Sequence, residues 1–241
     1  MSRIIANDFD RLMEYIRTYS VTDEIQNAEL RKELKKGHKH YLPLLYLWSR
    51  VDSLSRAGAL SLSGKIIIDA KTTSYLEESI SDIAGSFTCC IHGNYKPAFM
   101  LLRSSIENYL RFFTSNFNGD AKTTTVISHL FEISKTTPIF QDPNNNYLTL
   151  LKQIYGELCA YTHTASPDNM TKIHAISHFP RFNAKDFKKW NGYALRIASI
   201  ILQATLLANK TLYLSAHFKT KEVFEDMLPS SLCAYLNGSH Q

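Results

Sequence analysis

Arg103, Glu107 and His163 are the residues in this chain whose types and settings point to chemistry. Arg103 and Glu107 lie in Leu101-Leu102-Arg103-Ser104-Ser105-Ile106-Glu107-Asn108-Tyr109-Leu110, and His163 closes Tyr155-Gly156-Glu157-Leu158-Cys159-Ala160-Tyr161-Thr162-His163. Both segments are otherwise built for burial, so a charged or titratable group there needs a partner or a task. An arginine can stabilise charge on a phosphate, and a histidine can move a proton near neutral pH. The opposing reading is plain: a helix-edge ion pair worth about 0.3–0.5 kcal/mol, and a histidine capping a helix C-terminus.

The elements that position these groups read as helices. On a wheel of roughly 100° per residue, Ala98, Leu101, Leu102, Ile106, Tyr109, Phe112 and Phe113 form one apolar face, with Arg103 and Glu107 at its edge, four residues apart. In the second segment Leu148, Leu151, Ile154, Tyr155 and Leu158 form the core face, and His163 shares a stripe of small residues with Gly156, Cys159 and Ala160. Small side chains let a second helix or a second subunit approach closely, and a helix C-terminus favours a protonated imidazole.

The rest of the chain is almost wholly helical in pattern. Helices are expected over Asp8 to Tyr19, from Thr22-Asp23-Glu24 to a stop at Gly37, and over Tyr41 to Ser55 with Pro43 in the first turn. Ser61 to Ala70 reads as a short strand or the start of the next helix, the helix being favoured. Ser74 to His92 follows, ended by Gly93 or Asn94, and Pro97 starts a helix to about Phe117, so these two pack as an antiparallel pair. Further helices are expected at Thr125 to Ser134, from Asp142-Pro143-Asn144 to His163, over Ala184 to about Phe218 as the longest, and over Lys221 to Leu236, broken by Pro229. Thr164 to Asn183 is irregular. The expected fold is all-α, with a helical extension at residues 1–60 on a bundle at 61–241.

Composition narrows the function classes. Hydrophobic residues make up 44% of 241 and charged ones 20%, enough for a core and unlike a disordered chain. The net charge of +5 permits an anionic partner without requiring one. The densest basic run, Arg31-Lys32-Glu33-Leu34-Lys35-Lys36-Gly37-His38-Lys39-His40, reads as a solvated helix end. Cys89, Cys90, Cys159 and Cys233 show no Cys-x-x-Cys spacing and read as reduced, buried thiols of a cytoplasmic protein. The N-terminus carries Asp8, Asp10 and Glu14 and is no signal peptide, and the apolar run Ile197 to Ala208 is too short to span a bilayer, so no membrane association is expected. His174 and His178 have metal-compatible spacing but no carboxylate at a suggestive offset, Ser104 and Ser105 lack a nucleophile elbow and read as helix-edge packing, and no Gly-rich phosphate loop exists. No metal and no cofactor are expected.

Ile91-His92-Gly93-Asn94-Tyr95-Lys96-Pro97-Ala98, followed by Leu101 to Glu107, resembles the central hairpin of HEPN-like helical domains. The closest resemblance is to a group of bacterial proteins with an Arg-x-x-x-Glu helix and a later Tyr-x-x-Leu-x-x-x-x-His segment, matched here by Arg103/Glu107 and by Tyr155/Leu158/His163 over residues 75–215. The resemblance implies a helical bundle that often dimerises. It also implies a metal-independent endoribonuclease or toxin, acting in toxin–antitoxin, abortive-infection or other phage-defence systems, with RNA as substrate and an antitoxin or other protein as partner. In such a protein His163 is the general base or acid, Arg103 stabilises the phosphorane, Glu107 orients Arg103, and Tyr155 and Thr162 add hydrogen bonds. The family's usual arginine four to six residues before the histidine is missing, since Gly156, Glu157 and Leu158 stand there. Either Arg103 supplies that cation from the neighbouring helix, or the chain is a non-catalytic dimerisation and partner-recruiting module.

Overall fold

The structure is a computed structural model that describes residues 2–16, 28–66, 70–142, 145–162, 170 and 182–238. Among the described residues are eleven α-helices and a hairpin of two-residue strands, so the fold is all-α.

Helix α1 (Arg3–Ile16) places Ile5, Phe9 and Met13 on one buried row, spaced by four as a helical face requires. Helix α2 (Ala28–Arg56) follows, and its buried Leu30, Leu34, Leu44, Leu47 and Val51 join the same core as the helices after it. His38 Nε2 lies 2.6 Å from Asp8 Oδ2 and ties α1 to α2.

The stop expected at Gly37 does not occur, because α2 runs through Gly37 and Pro43 without a break. Gly37 is a packing residue instead. A β-carbon there would lie 2.7 Å from Phe87 Cε2 and 3.0 Å from Trp190 Cζ3, so only glycine lets α2 come this close. Pro43 removes one helical amide at a cost of about 3 kcal/mol, which burial of Leu42, Leu44 and Leu47 around it offsets.

The favoured helix is also corrected over Ser61 to Ile66, while residues 67–69 lie outside the described residues. Strands β1 (Ser61–Leu62) and β2 (Lys65–Ile66) pair antiparallel, joined by Ser63 and Gly64 at φ 49° and 80°. Two consecutive left-handed residues make the turn whose twist suits a hairpin. Ser63 donates its amide to the Ala208 carbonyl at 2.8 Å, which pins the hairpin to the bundle.

Helices α3 (Ala70–Ile91) and α4 (Tyr95–Thr114) form the expected antiparallel pair. Gly93 ends α3 at φ 73°; its amide bonds the Cys90 carbonyl and the Asn94 amide bonds the Cys89 carbonyl, the pairing of a Schellman motif. Serines stitch the pair together: Ser79 Oγ donates to the Ser105 carbonyl at 2.9 Å and Ser86 Oγ to that of Ala98 at 2.8 Å. Ser105, expected at the helix edge, is fully buried in this seam, while Ser104 is half-buried at the edge.

A 3-10 turn (Gly119–Lys122), α5 (Ile127–Ser134) and α6 (Pro138–Gln141) lead to α7 (Tyr147–Thr162). Helix α8 (Ala184–Ala208) ends ten residues earlier than expected and is shorter than α2, at 25 residues against 29. The break is at Asn209, whose side chain accepts the Thr211 amide and starts α9 (Thr211–Leu214). The last expected helix is two, α10 (Phe218–Glu225) and α11 (Ser230–Leu236), separated at Pro229. The helix start at Thr22 to Glu24 and most of Thr164 to Asn183 lie outside the described residues.

Helix α4 is the central element, packed on α3, α5, α7 and α8 with Tyr109, Phe112 and Phe113 fully buried. Helix α2 packs on α3 and α8 where Phe87 and Trp190 stack at 5.4 Å, and Trp190 Nε1 donates to Ser86 Oγ at 2.6 Å. Of the four cysteines, Cys90 is buried and the others are half-buried. No described helix is long and apolar enough to cross a membrane.

Candidate functional site

The wheel drawn for α4 matches the structure closely. All the residues of its apolar face are buried except Leu101, which is half-buried, and Arg103 and Glu107 emerge at the edge toward α7. There Arg103 Nε donates to Glu107 Oε1 at 3.3 Å, and Tyr155 from α7 donates its hydroxyl to the same oxygen at 2.9 Å. The Arg103 guanidinium lies over the Tyr155 ring, 5.2 Å from its centre. Phe131 of α5 meets the ring edge-on at 5.5 Å and fixes it. Arg103, Glu107 and Tyr155 therefore form one network across two helices.

The network is neither surface nor core: the Arg103 and Glu107 side chains are 23% and 22% exposed. Burial disfavours the Arg103 charge, but the neighbouring Tyr155, Glu107 and Cys159 outweigh it and hold the guanidinium pKa above its ordinary value. Burial pushes the Tyr155 phenol pKa up, and its bond to the Glu107 carboxylate pushes it further, so Tyr155 stays a neutral donor. The Arg103 bond is long for a charge-assisted one and engages Nε, and the side chain stays 23% exposed.

Behind this edge lies a polar seam that the sequence reading missed. Asp82 of α3 is 6% exposed and accepts from Asn108 Nδ2 at 3.0 Å, and Asn108 also reaches Ser104 Oγ at 3.4 Å. Burial raises the Asp82 pKa, Ser104 and Asn108 oppose this, and the charges of Glu78 and Glu107 add to the rise. A signal was present: Asp82 stands in the buried row of Ser79, Ile83 and Ser86, where a carboxylate must find donors.

Thr162 is not part of the network. It lies seven residues beyond Tyr155 on α7, about 10 Å along the axis, and among the described residues its hydroxyl reaches only the Leu158 carbonyl, at 3.5 Å. His163, the next residue, lies outside the described residues, as do His174 and His178. Gly156 of the small stripe makes no tight contact among the described residues: a β-carbon there would meet nothing within 4 Å.

The C-terminal half of α7 instead meets α8 and the start of α4. Glu157 accepts from Gln153 at 2.8 Å and pairs with Arg196 at 3.9 Å. Tyr161 lies against Phe99 with ring centres 4.4 Å apart, and Lys189 Nζ sits 4.6 Å over the Tyr161 ring. Burial raises the Tyr193 phenol pKa, as do the adjoining Tyr161 and Glu157.

Among the described residues no group of three His, Cys, Asp or Glu side chains is placed to hold a metal ion. No family model, no curated protein and no solved structure matches this chain.

Proposed function

We propose that this chain is a HEPN-like endoribonuclease that needs no metal ion and serves as a toxin or abortive-infection component of a bacterial defence system. The observation that carries the reading is the Arg103 guanidinium, held between the Glu107 carboxylate and the Tyr155 ring yet partly open to solvent. An oriented, permanently charged fork of donors beside solvent suits a phosphate that gains charge during reaction. In this reading the ribose 2′-hydroxyl attacks the adjacent phosphorus, losing its proton to a base. The 5′-oxygen leaves with a proton from an acid, and the products carry a 2′,3′-cyclic phosphate and a 5′-hydroxyl. His163 is the acid–base group and Arg103 binds the phosphorane oxygens. Glu107 and Tyr155 fix Arg103, and Thr162 stands next to His163 in the chain. Arg103 substitutes for the arginine that the usual motif places before the histidine.

One observation favours a second reading, a non-catalytic module that dimerises and recruits a partner. Among the described residues nothing fills the space at Gly156, as a seam for a second copy requires. Incubating the purified chain with total RNA in EDTA separates the two. The nuclease reading expects cleavage that survives EDTA and is lost in His163→Ala; a stable dimer with no cleavage favours the module.

A further inference from the structure

The basic run of α2, expected as a solvated helix end, lies instead along a continuous helix beside a second lysine-rich stretch. Between Ala28 and His40 five basic side chains stand against two acidic ones, and between Ala184 and Gly192 three lysines stand against one aspartate. The two stretches carry excesses of three and two positive charges, which together match the +5 of the whole chain. The remaining residues carry equal numbers of basic and acidic side chains, so these two stretches are where positive charge is in local excess.

The fold brings the stretches side by side. Helices α2 and α8 run parallel, joined at one end by Asn191 Nδ2 donating to Glu33 Oε2 at 2.8 Å and at the other by the hairpin bonded to Ala208. Gly37 permits the close approach to Trp190 and Asn191. Glu33, 4% exposed, is the joint: burial raises its pKa, but bonds from Lys36 and Asn191 and the charges of Lys36 and Lys188 bring it below the ordinary value. Lys36 and Lys188 thus flank one buried carboxylate, while Arg31, Lys32, Lys35, Lys185, Lys188 and Lys189 are all exposed. Arg31, Lys32 and Lys35 also line a groove between α1 and α2, with Asp10 as its acidic member. Toward α7, Lys189 rests on Tyr161, one residue before Thr162 and two before His163.

We propose that this α2–α8 face is the docking track for a single RNA strand, whose phosphates pair with the two basic stretches and lead toward the end of α7. The inference deepens the nuclease reading and rests on it for the choice of RNA over other polyanions. Clustered lysines supply the sequence-independent, salt-sensitive attraction to a phosphate backbone.

The test measures binding of a fluorescent uridine oligonucleotide of about 20 residues in EDTA, across a salt series, in the full-length His163→Ala chain. One variant carries Arg31→Glu, Lys32→Glu and Lys35→Glu; another carries Lys185→Glu, Lys188→Glu and Lys189→Glu. A control carries Lys65→Glu, Lys135→Glu and Lys219→Glu, an equal change of charge elsewhere. Each face variant is expected to weaken binding at least about tenfold and to flatten the salt dependence by about two phosphates' worth, with the control within about twofold. Glutamine versions of each triple serve where a reversed triple alters the melting curve. Equal weakening by the control overturns the proposal. So does the absence of RNA binding, or face-dependent binding to phosphatidylserine vesicles in its place. RNA held by this face but never cut by the wild-type chain leaves the track standing and removes the nuclease. His163-dependent cleavage untouched by both face variants does the reverse.

Discussion

Arg103 and Lys188 are both cations on helix surfaces, yet the protein treats them in opposite ways. Arg103 sits at the α4–α7 edge with its charge matched by Glu107, its plane laid over Tyr155 and most of its surface covered. Lys188 is exposed and belongs to a face with positive charge in excess, where the one buried carboxylate, Glu33, already accepts from Lys36. A half-buried charge must be paired and therefore becomes oriented, which is what chemistry at a fixed atom needs. An exposed charge needs no partner and stays mobile, which suits attraction at a distance. Substitutions in the two regions should therefore differ in kind, with stability and geometry at stake in the first and association alone in the second.

The largest stability effect is expected from the interior of α2, beneath the basic face. Burial drives His40 down to about 4, with the charges of Lys39 and Lys36 acting in the same direction. Its folded pKa lies below the ordinary 6.5, so the unfolded chain takes up the proton first. The stability is fully present above about pH 6.5 and is lost as pH falls toward about 4, up to about 3 kcal/mol. Chemical denaturation at pH 7 and pH 4 should show that loss in the wild type and a smaller one in His40→Gln; equal losses would remove the assignment.

Gly37→Ala comes next. On an exposed helix the change gains up to about 1 kcal/mol, but here the added methyl meets Phe87 and Trp190. The expected result is a net loss of about 1–3 kcal/mol, read from the denaturation midpoint. A gain would show that α2 does not approach α8 this closely.

Tyr155→Phe keeps the ring under Arg103 and removes the bond to Glu107. A cost of about 1 kcal/mol is expected, together with a fall in the RNA-cleavage rate larger than any change in RNA affinity. The reverse split would make Tyr155 a binding residue. Lys185→Glu, exposed on the same stretch and not among the charges acting on Glu33, is expected to change stability by less than about 0.5 kcal/mol while weakening RNA binding. A Lys185→Glu protein that melts several degrees lower would erase the contrast between the two regions.

Much of the α3–α4 hairpin was legible because its signals are local. Gly93 ends a helix through its own backbone angle, and the face from Ala98 to Phe113 repeats at helical spacing. The Arg103–Glu107 pair follows from a separation of four. What escaped depends on residues distant in sequence. Gly37 resembles a helix stop until Phe87 and Trp190, far along the chain, show why a side chain cannot fit there. The solvated helix end expected at Arg31 to His40 is an amphipathic stretch whose buried members, Glu33, His38 and His40, face other helices. The Asp82–Asn108–Ser104 seam crosses two helices, and the α8 break at Asn209 rests on one side-chain bond that no periodicity reveals. The turn at Ser63-Gly64 needs two left-handed residues, which a serine does not announce. Tyr155 was legible as a hydrogen-bonding residue, but its double role, donor to Glu107 and platform for Arg103, depends on how α7 leans on α4.

The claim that Arg103 carries the phosphate chemistry is tested most directly by product analysis of RNA cleavage in EDTA by the wild type, Arg103→Lys and Arg103→Ala. Wild-type protein should leave 2′,3′-cyclic phosphate ends. Arg103→Lys should be slower, because a point charge cannot replace the fork, and Arg103→Ala should lose about 10²–10³ in rate at a stability cost of about 1 kcal/mol, comparable to that of Tyr155→Phe. Cyclic-phosphate ends produced at the wild-type rate by Arg103→Ala would contradict the account.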